Sequence, residues 1–406
     1  MNIRRVLMNI RSHFAGIRKN TLRRSSDFWI IFAEIRNNPH TLMIEELLNK
    51  DHLEKEDLIT LLNADEQDRK LIYAKAAEVK AAFVGKKVYF RGLVEYSNRC
   101  RKNCFYCGVR AGNSHMQRYE LTEEEVLEAA RFAYENRFAS MVIQSGERSD
   151  KAFVKKIGRL LTQIKKLSNG ELGITLSLGE QTEETYRYWK DCGGHRYLLR
   201  IETSDRELYK RLHPANMTHS YDKRLEALHF LRKTGYQVGT GVMIGLPFQT
   251  VEHLAGDLIF FRDLDIDMAG MGPYIEHEHT PLYQYKDQLM PRMERFNLSL
   301  KMVALLRIMM KDINIAATTA MQAIDPQGRE KALLAGANVI MPNLTPVKYR
   351  ENYQLYDDKP CIDEEADECR NCLEIRIKMA GDTIGYNEWG DSKHFARRQQ
   401  QPTEKN

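Results

Sequence analysis

Residues 88–107 read VYFRGLVEYSNRCRKNCFYC, an apolar, β-branched run that leads directly into three cysteines within eight residues. The run Val88–Tyr96 predicts a strand. Behind it stands Cys100-x3-Cys104-x2-Cys107, where an open dinucleotide-binding sheet would carry a Gly-x-Gly-x-x-Gly phosphate loop.

Working outward, segments of the same kind recur at 140–146, 173–178, 197–203, 237–246, 268–275, 313–319 and 338–341. Between them lie helical patterns at 123–136, 151–167, 182–191, 221–233, 251–263, 291–311 and 327–335, and a last one at 374–380. Strands alternating with helices of this length imply βαβ units and a parallel sheet. Eight such strands fit a closed (β/α)8, TIM-type barrel better than an open doubly wound sheet. Three helices precede the barrel, at 42–49, 54–62 and 66–83.

The chain then reads as a basic extension over 1–42, a helical lead-in over 43–85 and the barrel over 86–350. A cysteine-bearing C-terminal segment covers 351–390 and a polar tail 391–406.

The 406 residues carry a formal net charge of +5, which is localised. Positions 1–26 hold seven Arg or Lys and no acid, leaving 54 basic against 56 acidic side chains in the rest. The body is near neutral, so a nucleic-acid-binding reading from global charge fails. The longest apolar run near the N-terminus, Phe28–Ala33, is far short of the ~20 residues of a membrane span, and no membrane role is expected. Arg-rich and acid-free, residues 1–26 are similar to an organellar transit peptide, while Met43 offers a plainer start. A cytoplasmic location is expected, or an organellar one if the leader is real.

Seven cysteines in a long chain, three of them clustered at each of two places, point to metal or iron–sulfur ligation rather than a disulfide framework. Three thiolates on one loop can hold three irons of a [4Fe–4S] cube and leave the fourth open. S-adenosylmethionine (SAM) can chelate that iron through its amino and carboxylate groups. Zinc would need a fourth ligand and usually takes paired x2 spacings. Arg200 and Glu202 alternate along one strand and so share the lumen side, either as a site pair or as barrel filling.

Cys-x3-Cys-x-aromatic-Cys, with Tyr106 the aromatic, resembles the signature of the radical SAM superfamily. Ser145-Gly146-Glu147 is similar to its Gly-Gly-Glu element, and Gly241–Pro247 to its Gly-x-Ile-x-Gly element. Larger segments narrow the resemblance: Val94–Asn98, Ser177–Glu180, Tyr197–Arg200, Leu212–Pro214, Ala317–Ala320, Met341–Asn343 and Asn352–Tyr356. Over about residues 43–390 the chain resembles the [FeFe]-hydrogenase maturation family of the biotin-synthase-like branch.

That resemblance implies an enzyme that reductively cleaves SAM at a [4Fe–4S] cluster on Cys100, Cys104 and Cys107. It implies SAM contacts at Tyr106, Glu147, Glu202 and Arg224, and a substrate cavity lined by Arg200, Thr318, Thr319 and Tyr353. For Thr318 and Thr319 the plain alternative is β-branched strand filling. Cys361-x7-Cys369-x2-Cys372 has the spacing of that family's auxiliary iron–sulfur site. Five acidic residues between Cys361 and Cys369 equally suit a surface loop that binds zinc or nothing. Cys192 is read as a small buried hydrophobe at a helix end.

The implied substrate is an iron–cysteine complex bearing carbon monoxide and cyanide, supplied by a companion tyrosine lyase. The implied partners are a scaffold GTPase that receives the product and an external one-electron reductant. A methylornithine-forming lysine mutase and a biotin-synthase-like enzyme are the alternatives, the latter weakened because no cysteine lies on strands two to eight.

Overall fold

The computed structural model describes residues 39–400. The chain divides into two compact units, Met1–Lys50 and Asp51–Asn406. Among the described residues the first unit contains the helix Pro39–Leu48. The basic stretch 1–26 and most of the extension 1–42 lie outside the described residues.

Among the described residues of the second unit, twelve strands run in chain order. They are β1 Lys87–Phe90, β2 Gly92–Ser97, β3 Ser140–Ser145, β4 Gly173–Ser177, β5 Arg196–Leu198 and β6 Gln237–Thr240, then β7 Met243–Ile244, β8 Met268–Ala269, β9 Gly272–Pro273, β10 Asn314–Ile315, β11 Val339–Ile340 and β12 Thr383–Ile384. Seven form one parallel sheet in the order β10-β8-β6-β5-β4-β3-β2. Strand β11 closes the ring. The Ala317 N–H donates to Val339 O at 2.9 Å on one side, and Leu93 bridges Asn343 in parallel on the other. The eight expected strand positions are all present, and the expected closed barrel results from these joins.

Three expected strands prove composite. The segment 88–96 splits at Arg91 into β1, which pairs with β11 and β12, and β2, which pairs with β3. The segments 237–246 and 268–275 each break after a short ladder, and their outer parts pair again as β7 and β9. Glycines 241 and 270 sit at those breaks, and a Cβ on Gly241 would collide with Gly270 O, so the two backbones approach too closely for a side chain at 241.

The helices form for ordinary reasons. Asp150 caps Lys151–Leu167 by accepting from the Phe153 N–H, and Phe153, Ile157, Leu160, Leu161 and Ile164 form one buried stripe against the sheet. Helices Lys55–Leu62 and Arg69–Phe83 pack on Arg292–Met309, whose buried residues run around most of its circumference. The composition of 391–406 reads as polar tail, yet Lys393–Gln400 is a helix. Asp391 lies 3.0 Å from the fully buried Arg196, and His394 bridges Asp265 at 2.5 Å and Asp312 at 3.1 Å. These ion pairs fasten the segment across the N-terminal end of the barrel. Its polarity belongs to a contact, not to a solvated arm.

Among the described residues no helix is long and apolar enough to cross a membrane.

Candidate active site

A parallel barrel collects its loops at the C-terminal ends of the strands, and the chemistry-bearing side chains gather there. The cysteine loop follows β2, Glu147 follows β3, Glu180 follows β4, Arg200 and Glu202 follow β5, and Thr318 follows β10. All but Glu180, which sits just behind Gly179 of the wall, line one cavity of about 370 Å³ that reaches down among the strands.

Cys104 is buried, and Cys100 and Cys107 are partly so. Burial pushes the Cys104 thiol up to about 12, opposed by Arg224, and raises Cys107 further still. Burial also raises Cys100, although the N–H groups of Lys102 and Glu147 donate to its sulfur at 3.3 Å each. Without a cationic partner all three stay protonated, so this donor set fits a cluster whose irons supply that charge. Among the described residues no three His, Cys, Asp or Glu side chains sit at the spacing of ligands to a single ion. A cube spreads its thiolates over three irons, so that spacing is not required of it.

Beside the loop lies a buried charge network. Glu147 Oε1 takes Arg101 Nη2 at 3.0 Å and Lys102 Nζ at 3.4 Å, and its Oε2 accepts from the Glu180 N–H at 2.9 Å. Glu180 Oε2 holds Lys102 Nζ at 2.8 Å. Arg224 Nε lies 2.7 Å from Glu180 Oε1, off the N–H direction, so this is a charge contact rather than a hydrogen bond. Burial opposes the Arg224 charge, yet Glu180, Tyr209 and Glu147 hold it firmly protonated. Gly179, at φ +78°, lies where a Cβ would sit 2.2 Å from Glu147 Cγ, so only glycine lets Glu147 fold over this turn.

Tyr106 donates to His213 Nε2 at 3.3 Å, while His213 Nδ1 faces Tyr209 O at 2.9 Å. Burial lowers the His213 pKa to about 3, so the ring is neutral and its tautomer is set by the carbonyl. Glu202 occupies φ +66°, a strained setting for a non-glycine residue, held by a bridge to Val242. Its carboxylate takes Arg200 Nε at 2.9 and 3.0 Å and Nη2 at 2.9 Å, and Nη2 also donates to Val242 O. Arg200 and Glu202 thus form an ion pair and line the cavity at once.

Thr318 is not strand filling. It stands at the N-cap position of the helix Thr319–Ile324 without a side-chain cap bond, its hydroxyl donating instead to Met271 O at 3.3 Å, and Thr319 Oγ1 accepts from Arg329 Nη2 at 3.2 Å. Tyr353 is buried, and its hydroxyl accepts from Gln144 Nε2 at 3.3 Å.

The second cysteine group is only partly assembled. Cys361 and Cys369 are in mutual hydrogen-bond contact at the cavity edge, and that contact pulls the Cys369 thiol down to about 6. Cys372, one turn along the helix Ala366–Met379, instead accepts from Arg376 Nε at 3.3 Å. Cys192 caps the end of Glu183–Asp191 and is half-exposed rather than buried.

Residue patterns did not single out Lys102, Glu180, Glu95, Lys359 or Arg329. Glu95 and Lys359 pair at 2.5 Å inside the cavity from positions 264 residues apart. Lys102 carried a usable signal, being a lysine between two cluster cysteines. Arg329 carried none, since a helix Arg is normally solvated.

Residues 94–260 match the radical SAM superfamily, so this barrel and cysteine loop make the chain a member of that class of enzyme, which uses a [4Fe–4S] cluster to cleave SAM. The chain is 42% identical over 352 residues to the [FeFe] hydrogenase maturase subunit HydE of Thermotoga maritima, covering 86% of this chain and 97% of that one. It belongs to the HydE maturase family. It is also similar to 3-methylornithine synthase of Methanosarcina acetivorans, at 27% identity over 77% of this chain and 86% of that one. Among solved structures, methylornithine synthase (PylB) superposes with a TM-score of 0.71 at 24% identity, covering 85% of this chain and 98% of that one. HydG from Carboxydothermus hydrogenoformans superposes with a TM-score of 0.73 at 18% identity, covering 91% and 85%. These two likenesses bear on the fold alone.

Proposed function

We propose that the protein is a hydrogenase maturase that generates a radical from SAM beside Cys100, Cys104 and Cys107 and directs it at a small iron–cysteine complex carrying carbon monoxide and cyanide. The observation that carries this reading is the continuous cavity running from the cysteine loop to Thr318, Thr319 and Tyr353.

Cys100, Cys104 and Cys107 would hold the cluster, which would supply the one electron needed to cleave the sulfonium of SAM to methionine and a 5′-deoxyadenosyl radical. The chain's own part is to hold and to shield. Glu147, Glu202, Tyr106 and Arg224 are the proposed SAM contacts. Their support is that they share the rim beside the cysteine loop and that Glu147 and Arg224 are pre-oriented by Lys102 and Glu180. Leu199, Ile275, Val142 and Tyr353 wall the cavity with apolar surface that keeps water from a reactive intermediate. Thr318, Thr319 and Tyr353 offer hydroxyls to the substrate.

In this reading the complex comes from a companion tyrosine lyase, the product passes to a scaffold GTPase, and an external one-electron donor in the cytoplasm feeds the cluster. An auxiliary cluster on Cys361, Cys369 and Cys372 would require Cys372 to leave Arg376.

The test is anaerobic reconstitution, reduction, and assay of 5′-deoxyadenosine with and without the synthetic iron–cysteine–carbonyl–cyanide complex. Stimulation by the complex, and loss of all product in Cys104→Ala, is expected. Cleavage of SAM that the complex neither stimulates nor consumes would sink the substrate assignment. Absence of any cleavage would mean a non-catalytic barrel.

A further inference from the structure

Among the cations lining the cavity, Arg329 has the largest hydrogen-bonding capacity left open. It is 2% exposed, yet its Nε and Nη1 have no hydrogen-bond partner. Its Nη2 donates to Thr319 Oγ1 at 3.2 Å, which fixes the guanidinium in the cavity wall. Leaving buried guanidinium N–H groups unmet costs free energy that a protein ordinarily avoids, so such an arrangement points to a missing acceptor.

The other cations of the cavity are engaged. Arg200 forks onto Glu202, Lys102 is held by Glu180, and Lys359 is held by Glu95. Arg224 sits against Glu180. Arg91 spends both terminal nitrogens on Met268 Sδ and Gly390 O, and Arg91 and Arg224 each leave only Nε unmet. An anion entering this cavity therefore finds more unmet N–H groups at Arg329 than at Arg200, Arg91 or Arg224. Arg329, Arg200, Glu95 and Tyr356 all line this one cavity.

We propose that Arg329 is the specificity-determining residue that receives the carboxylate of the substrate's amino-acid portion, with Thr319 orienting it. This rests on the proposed function, in which the cavity holds an iron–cysteine complex. A planar guanidinium matches a carboxylate in charge and fork geometry, and a single free Arg flanked by hydroxyls suits a monoanion better than a phosphate. Thr318 lines the same cavity, its hydroxyl donating to Met271 O, so the unmet donors offered here are those of Arg329. The cysteine loop lines the same cavity, so a substrate gripped here by its carboxylate would share that space with it.

The experiment uses the full chain with its cluster reconstituted and SAM present. Binding of L-cysteine and of L-cysteine methyl ester is measured by calorimetry, and the same acid–ester pair is made from the iron–carbonyl–cyanide complex. Wild type is expected to prefer each acid over its ester by about tenfold to a hundredfold, the range of a lost charged hydrogen-bond pair. Arg329→Gln is expected to bring that ratio within about threefold, by raising Kd for the acid, whereas Arg329→Lys keeps part of it. Iron content and circular dichroism report whether each variant is folded.

An unchanged preference in folded Arg329→Gln, or no preference in wild type, overturns the proposal. If Arg329 instead serves only the neighbouring Cys361 and Cys369 thiols, the substitution alters their alkylation rate and leaves the acid–ester ratio untouched, which also overturns it. A cysteine preference that persists while the iron complex fails to bind upholds Arg329 and removes the substrate reading. The reverse pattern removes the role of Arg329 alone.

Discussion

Gly146→Ala is a one-carbon perturbation with a calculable consequence. A Cβ at this position would lie 2.6 Å from the Arg99 carbonyl oxygen, 2.8 Å from the Arg99 carbonyl carbon and 2.8 Å from Cys100 Cβ. Ordinary contact begins near 3.4 Å, so one backbone must retreat by roughly 0.8 Å. The obstacle is backbone on both sides and no rotamer relieves it. Gly146 N–H is also tied to Ser97 O at 2.8 Å, and Arg101 N–H to Glu147 O at 2.9 Å, so strand β3 cannot yield without breaking those bonds. The cysteine loop is the part that moves. Overpacking of this kind costs about 1–3 kcal/mol, which a chain of this size tolerates. A misplacement approaching 1 Å at a reacting centre costs on the order of a hundredfold in rate. The variant is therefore expected to fold, with a small drop in Tm, and to form 5′-deoxyadenosine about a hundredfold more slowly or to lose iron on reconstitution. Wild-type iron content together with a wild-type rate would refute the claim that Gly146 sets the position of the cysteine loop.

Lys359→Met strands the Glu95 carboxylate, which is 2% exposed and has one oxygen without a partner, so urea denaturation should register a loss of about 3–5 kcal/mol. The double variant Glu95→Leu, Lys359→Met should recover most of it. His394 has its pKa raised to about 9; burial works against its charge, but Asp265 and Asp312 overcome it. Its contribution is fully present below the unfolded value near 6.5 and is lost as pH rises through 9. Hydrogen exchange, corrected for its intrinsic pH dependence, should therefore show the helix Lys393–Gln400 losing protection between about pH 7 and 9.5. His394→Asn should remove that dependence. His213 is the opposite case. Burial lowers it to about 3, so the unfolded chain takes up a proton that the folded one refuses. Stability should fall as pH drops from about 6.5 toward 3, and His213→Asn should flatten that limb in chemical denaturation measured pH by pH.

How much of the molecule is legible in the sequence varies by element. Helices Lys151–Leu167, Tyr221–Lys233 and Val251–Asp263 match the expected limits, because each is delimited by a capping Asp, Ser or Thr and by an apolar period that stops cleanly. The helix Ala366–Met379 begins eight residues before its expected start. Its first turns are acidic and carry little apolar period, yet Glu365 and Glu368 form a capping box that starts it there. Several strands end earlier than their composition predicts. β-Branched and apolar residues continue through 203, 246 and 275, while the ladder of 197–203 ends at Leu198 and those of 237–246 and 268–275 are interrupted at Gly241 and Gly270 before pairing again as β7 and β9. Thr318 and Thr319 show the same limitation. Their residue type suits a strand, but the chain turns into a helix there, and their hydroxyls act as donor to Met271 O and acceptor from Arg329.

The order of strands and helices, the cysteine spacing and the pairing of Arg200 with Glu202 are written in the linear chain. Periodicity, loop chemistry and two-residue alternation are local, and local patterns survive without the fold. Which charges are already engaged is not local. Lys102 meets Glu180 across 78 residues, Lys359 meets Glu95 across 264, and Arg329 reaches the cavity wall with two nitrogens unmet. Closing the barrel decides those partnerships, because burial in a shared cavity turns each side chain's charge into a demand on whichever distant residue the ring brings beside it.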